Sequence, residues 1–305
     1  MNGRERMQAV LNGQIPDKIP HFELEFQLVK ESFGKNFPDL SGYENKSSAE
    51  KENLKELFFD IWEEIIDKYQ WSAFPVWSPE FMPYARERFA KKAMVYTYNG
   101  NGTFWLMDGN GMMDFSVMLF EEPEEVHRLA RIKCDESKEL AKIQAASGAE
   151  FICINSDYGF NEGPFISPEM FSEFIIPYLA EIVDTIHSLG LKAILHSDGD
   201  LRKILDMLIS TGLDGYQSID PQGHMDIAQI KKQYGDRLIL MGNVMASALQ
   251  HGTSEQIRES VRYAINNGKP GGKYIFSTSN CIFAGMPLES YHIMLDEYEK
   301  LAYYN

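Results

Sequence analysis

Residues 192–220 read KAILHSDGDLRKILDMLISTGLDGYQSID. A short apolar run, Lys192–His196, ends in the polar knot His196-Ser197-Asp198-Gly199-Asp200. Helical periodicity follows over 201–211, and a second short run, Gly215–Ile219, comes next. Strands this short and this apolar suit a parallel sheet covered by helices on its faces. The same unit recurs on both sides. Upstream, helix 122–147 precedes strand Glu150–Asn155, and helix 167–189 precedes Lys192–His196. Downstream come helix 225–233, strand Leu238–Gly242, helix 254–267, strand Lys273–Ser277 and a last helix over 287–302. Five αβ units in a row predict a parallel sheet, either open and doubly wound or closed into a ring.

The polar residues choose between these. Asn155-Ser156-Asp157 follow one strand, and His196 and Asp198 the next. Gln217 and Asp220 follow the third, Asn243 the fourth, and Ser279-Asn280-Cys281 the fifth. Glu23 and Glu25 sit late in a first strand, Ile19–Phe26. An open sheet gathers ligands only near its switch point, whereas a barrel gathers them around one C-terminal rim. Consecutive polar strand ends predict a (β/α)₈ TIM barrel formed by one domain, residues 1–305.

The N-terminal third is less regular. Residues 2–13 read as a helix stopped at Asn12-Gly13, and Pro16–Pro20 as a turn. Residues 34–52 read as a mobile loop near the barrel mouth, and 53–69 as a helix. Residues 93–119 read as short strands around hairpin turns at Asn99–Gly102 and Asp108–Gly111. This segment, about 34–120, is expected to shape the mouth.

Composition narrows the function. With 29 Lys+Arg against 45 Asp+Glu, the net charge is −16, and no basic stripe appears. Nucleic acid and anionic membranes both need clustered cations and are poor partners. No apolar run is long enough to span a bilayer, and the N-terminus lacks the apolar stretch of a secretory signal. Cys134, Cys153 and Cys281 are an odd set at wide spacing, so a reducing cytoplasm is expected. No glycine-rich nucleotide loop is present.

His196, Asp198 and Cys281 offer N, O and S donors from two strand ends, the kind of set that holds a catalytic zinc with one position open. Asp157, Glu162 or Glu23 can add a carboxylate or a general acid or base. Plainer readings stand beside these. A strand-end histidine also suits a carbonyl hydrogen bond, Asp198 a turn before Gly199, and Asp200 the cap of the next helix. Cys134 and Cys153 fit the core. His21, His127, His187, His224, His251 and His292 lack metal-like spacing. Trp77 and Trp105 can line a pocket or simply pack.

Several blocks together resemble the uroporphyrinogen decarboxylase superfamily. They are Arg4–Met7 with Pro16–Pro20, Asp157-Tyr158-Gly159 with Gly163–Phe171, His196–Asp200, Tyr234–Arg237, Gly242-Asn243 and Pro270–Gly272. The resemblance implies a (β/α)₈ barrel of that type. True decarboxylases of the superfamily carry an arginine-rich segment after the first strand that binds the substrate's carboxylates. Here His21–Lys30 holds two glutamates and no arginine, which would repel such a substrate. The resemblance is closer to the branch of cobamide-dependent methyltransferases. These pass a methyl group between a small substrate and the cobalt of a separate corrinoid protein, several of them with zinc on a His-x-Cys pair and a later cysteine. His196 and Cys281 match two of those ligands, and Asp198 replaces the middle cysteine with a harder donor.

The expectation is therefore a zinc-assisted methyltransferase acting on a small O-methylated substrate, with a corrinoid protein as partner. His196, Asp198 and Cys281 would hold the metal, and Asp157, Glu162 and Asp198 would serve catalysis. Glu23, Glu25, Trp77, Tyr158, Gln217, Asn243 and Asn280 would line the substrate site. Two alternatives stay open: a metal-free lyase of the decarboxylase type using Asp157, and a non-catalytic barrel that binds a corrinoid or tetrapyrrole.

Overall fold

A computed structural model of the chain describes residues 1–100, 102–106 and 109–304. Nine strands occur among them: β1 Ala73–Pro75, β2 Met94–Gly100, β3 Ile152–Asn155, β4 Gly159–Phe160, β5 Gly163–Pro164, β6 Ala193–His196, β7 Gly215–Ser218, β8 Ile239–Val244 and β9 Tyr274–Thr278. Seven form one parallel sheet in the order β1-β2-β3-β6-β7-β8-β9, and β4 and β5 make a small antiparallel hairpin. The register sets strand ends side by side. Asn155 pairs with His196, and His196 with Gln217.

Residues 19–26 take the eighth place. On one side Phe276 N–H donates to Pro20 O at 2.9 Å, and Ile282 N–H to Glu25 O at 3.0 Å. On the other, Ser72 N–H donates to His21 O at 2.8 Å, just before β1. The segment thus links the last strand to the first and closes the (β/α)₈ ring. It is not the regular strand expected, and only isolated bridges form along it, at His21↔Phe276 and Phe26↔Ile282. Pro20 brings no N–H to a ladder.

The helices lie outside the ring. Pro123–Ser147 packs along Ile176–Ser188. Capping boxes fix three helix starts, at Asn2/Glu5, Ser47/Glu50 and Thr253/Gln256. Pro177, which lacks an N–H, sits in the first turn of Ile176–Ser188, and the helix expected over 167–189 is split there in two.

The N-terminal third departs most from expectation. Gly109–Glu121 is a helix, and Met94–Gly100 is one buried parallel strand, so neither joins a hairpin. Asn101 and Asp108, the other ends of the expected turns, lie outside the described residues. The expected loop 34–52 is partly ordered by packing. Phe37 sits on Phe58 and Trp62, Tyr43 sits on Phe81, and the next helix already begins at Ser48. Aromatic contacts won over the Gly/Asn/Ser composition. The helix after β6 starts only at Leu205, so Asp200 does not cap it; its carboxylate instead holds the Arg202 N–H and guanidinium.

Candidate active site at the strand ends

The His196–Asp200 turn is clamped by backbone packing. Gly199 has φ +85, and a Cβ there would run into the Gly159 carbonyl; a Cβ on Gly223 would meet the Gly199 backbone. Ser218 and Ile219, at φ 99 and 49, also hold left-handed conformations that cost energy in residues with side chains. That bend carries Ser218 Oγ to Asp198 Oδ1 at 2.6 Å.

His196 is 7% exposed, and its Nδ1 contacts Gln217 Oε1. Gln217 is oriented from its other end, where Nε2 donates to Thr278 O at 3.3 Å. Turning the amide over would set its oxygen against that carbonyl. Gln217 therefore offers an acceptor to His196, so Nδ1 carries the proton and Nε2 is left with a lone pair. Nε2 lies 3.6 Å from Asp157 Oδ1.

Asp157, His196 and Asp198 bring three donor atoms within 4.8 Å of one another. Asp198 N–H donates to Asp157 Oδ1 at 3.1 Å, and Asn280 Nδ2 donates to Asp198 Oδ2. Burial pushes the Asp198 carboxyl up. His196 and the Ser218 hydroxyl oppose this, while Asp157 and Asp220 add to it. Carboxylates crowded this way invite a cation. Tetrahedral zinc holds its ligands at about 2.0–2.2 Å, hence about 3.3–3.6 Å from each other. The 3.6 Å between His196 and Asp157 comes close to that, and the three donors, all within 4.8 Å of one another, are of the types that hold zinc with one position open. Among the described residues Cys281 belongs to no such group. Burial, then the charges of Glu25, Glu23 and Asp198, push its thiol up to about 12. The expected ligand set is thus brought together at His196 and Asp198, with Asp157 in place of Cys281.

The remaining candidates separate. Glu23 is fully buried, and its Oε2 accepts from Thr278 N–H at 2.9 Å and Thr278 Oγ at 2.7 Å. Its Oε1 has no partner, and burial raises the carboxyl to about 8 despite those two bonds. Glu25 and Trp77 line one cavity of about 370 Å³. Trp77 also lines a second of about 360 Å³, with Tyr98, Trp105, Asn155 and Asp157. Asp198, Asp220, Asn280 and Phe283 line a third of about 370 Å³. Tyr158 is buried beneath the rim, its hydroxyl 2.7 Å from Thr103 Oγ. Asn243 holds Ile219 O at 2.9 Å and opens on a separate cavity of about 950 Å³ between outer helices. Glu162 sits on the β4–β5 turn, 88% exposed and 3.5 Å from His224, outside all three rim cavities. Sequence reasoning passed over Thr278 and Ser218, which orient Gln217, Glu23 and Asp198. Their signal was a hydroxyl residue at the end of an apolar run.

The family pattern described as uroporphyrinogen decarboxylase (URO-D) matches residues 103–301. The chain belongs to the URO-D family. Among curated members, the uroporphyrinogen decarboxylase of Thioalkalivibrio sulfidiphilus is 22% identical over 203 residues, covering 64% of this chain and 55% of that protein. The chloroplastic uroporphyrinogen decarboxylase 2 of Oryza sativa subsp. japonica is 28% identical over 229 residues, covering 69% and 55%. The chain spans about half the length of the curated relatives it matches. A methyltransferase from Methanosarcina mazei superposes with a TM-score of 0.77 over 98% of this chain and 99% of its own, at 15% identity. That likeness is one of fold, and it extends the URO-D barrel over nearly the whole chain. Among the described residues no helix is long and apolar enough to cross a membrane.

Proposed function

We propose that this URO-D family member is a zinc-assisted methyltransferase, moving a methyl group between a small O-methylated substrate and a corrinoid carried by a separate protein. The observation that carries the reading is the convergence of Asp157, His196 and Asp198 at a rim whose three cavities include no arginine among their lining residues. Asp157, His196 and Asp198 would hold the zinc. Bound there, zinc supplies Lewis-acid polarisation of the substrate oxygen that gives up or receives the methyl group. Gln217 fixes the ring of His196, and Ser218 and Asn280 fix the carboxylate of Asp198. Such supporting bonds keep ligands in one geometry. Trp77 and Trp105 line the cavity beside Asp157.

The names of the relatives favour a second reading, decarboxylation of a tetrapyrrole. A substrate rich in carboxylates would meet Glu25, Asp157 and Asp198 at this rim without a compensating arginine, and we place it second for that reason. The deciding test is metal analysis of the purified chain, with and without His196→Ala. The methyltransferase reading expects about one zinc per chain in the wild type and loss of it in the variant. Substoichiometric zinc in the wild type, joined to turnover of uroporphyrinogen without any corrinoid protein, would overturn it in favour of the lyase.

A further inference from the structure

Trp77 is 55% exposed at the mouth. One face stacks on Tyr98, with ring centroids 4.2 Å apart and planes 25° from parallel, so the ring is held in place. The indole forms the wall shared by two of the rim cavities, with Glu25 in one and Asp157 in the other. Glu25 is half-buried. Its carboxylate accepts from the Gln27 amide at 2.9 Å and has no lysine, arginine or histidine within ion-pair distance among the described residues. Lys30 is the one cation among the residues lining these two cavities. It is exposed, and among the described residues no carboxylate pairs with it. An indole and an unpaired carboxylate lining one cavity have a specific chemical complement. A cation settles on the negative face of the ring while its charge answers the carboxylate. An N-methylated ammonium suits this better than a primary one. Its methyl groups pack on the ring, and it sheds less tightly held water on entering. An anionic ligand meets like charge, and a neutral one leaves Glu25 uncompensated.

We infer that the small substrate carries an N-methylated ammonium group, seated on the free face of Trp77 beside Glu25. This rests on the reading of the rim as a substrate mouth and adds the chemical class of what enters it. The ammonium is a recognition handle; the donor cluster of Asp157, His196 and Asp198 adjoins it through Asp157, which lines a cavity with Trp77.

The test is binding to the full chain, followed by tryptophan fluorescence and calorimetry, with three probes: tetramethylammonium, choline, and 3,3-dimethyl-1-butanol, the uncharged isostere of choline. Choline is expected to bind about tenfold more tightly than its isostere, with tetramethylammonium saturating the same site. Trp77→Leu is expected to weaken choline about tenfold, Trp77→Phe less, and Glu25→Gln several-fold. Equal binding of choline and its isostere overturns the inference, as does unchanged choline affinity in Trp77→Leu. Trp77 is largely exposed, so both variants keep the core, and circular dichroism checks this. Zinc content is read on the same samples. Choline binding without zinc keeps this inference and defeats the metal assignment, whereas zinc without choline binding does the reverse.

Discussion

The two arcs of the barrel rim are built differently. The arc from β3 through β6 and β7 to β9 carries Asp157, His196, Gln217, Asp198 and Asn280, and hydrogen bonds tie these side chains to one another and to Thr278. The opposite arc, from residues 19–30 through β1 and β2, carries Glu25, Trp77 and Tyr98, where the groups that face solvent are held mainly by ring stacking. On the first arc an unsatisfied polar atom would be costly, because it is buried among other polar groups. The second can leave a carboxylate without a counter-charge because water still reaches it. A rigid arc suits chemistry and an adaptable one suits recognition, the division seen when irregular segments sit on a regular scaffold.

The comparison breaks most sharply at His196. Removing its ring takes away the only nitrogen of the donor group and leaves Asp157 and Asp198 facing each other. His196→Ala is expected to lower zinc affinity by well over 100-fold, more than the roughly 10–100-fold typical of losing a supporting residue. Trp77→Leu, on the other arc, should leave zinc affinity unchanged. Zinc competition titrations on the two variants check this. Equal losses would mean that the arcs are not separate in function.

Next in size is Glu23, where the segment that closes the ring meets the rigid arc. Its folded pKa of about 8 lies above the usual 4.5. Below pH 4.5 the carboxyl is protonated in both states and costs nothing. Between 4.5 and about 8 the unfolded chain is ionised while the folded one keeps its proton, so stability falls as pH rises, and it levels off above 8. Relative to Glu23→Gln, the wild type should lose stability with a slope approaching about 1.4 kcal/mol per pH unit across that window. Urea unfolding of both proteins at several pH values measures it. Parallel stability curves would show that Glu23 is ionised in the fold and neutralised by a group not yet identified.

The same contrast explains what could be read from the sequence. The regular arc was legible because its strands are short apolar runs, each followed by a polar residue, and period and position alone put Asp157, His196, Gln217 and Asn280 on one rim. Cys281 was less legible, because a sulfur at a strand end looks the same in sequence whether or not it joins a donor group; the group the structure gathers is Asp157, His196 and Asp198. Only the turn at Ser218 and Ile219 shows that Asp198 is gripped from β7. The other arc was poorly legible. Gly, Asn and Ser around residues 34–52 and 99–111 suggested loops and hairpins, yet the structure answers to packing between distant aromatics, Phe37 on Trp62 and Phe104 on Phe115. Contacts of that kind carry no local period. The closing segment lies between, since its alternation was visible but the donor missing at Pro20 reduces it to bridges.

A smaller effect tests the rigid arc from behind. Gln217→Leu keeps the volume near His196 but removes the acceptor that holds the proton on Nδ1. Zinc affinity is expected to fall about 10–100-fold, and Gln217→Glu should restore part of it, because a carboxylate still accepts that proton. In the metal-free protein, ¹⁵N spectra of His196 should show the Nδ1–H tautomer in the wild type and a mixture in Gln217→Leu. A wild-type spectrum of the Nε2–H tautomer would remove the orientation argument altogether.

The smallest expected change lies beyond both arcs, on the helix Gly109–Glu121 that follows β2. Met113, Val117 and Phe120 fall on one stripe, 71%, 51% and 75% exposed. Side chains that stay in water gain almost nothing on folding, so Phe120→Ser should alter stability by no more than about 0.5 kcal/mol. Phe115, one turn earlier, is buried against Phe104, and Phe115→Ser should cost several times as much, about 3 kcal/mol or more. Urea unfolding of the pair sets the two faces of one helix against each other. A large loss in Phe120→Ser would mean that this stripe is covered in solution, by a second copy or another chain, and that the recognition side of the mouth extends further than Trp77.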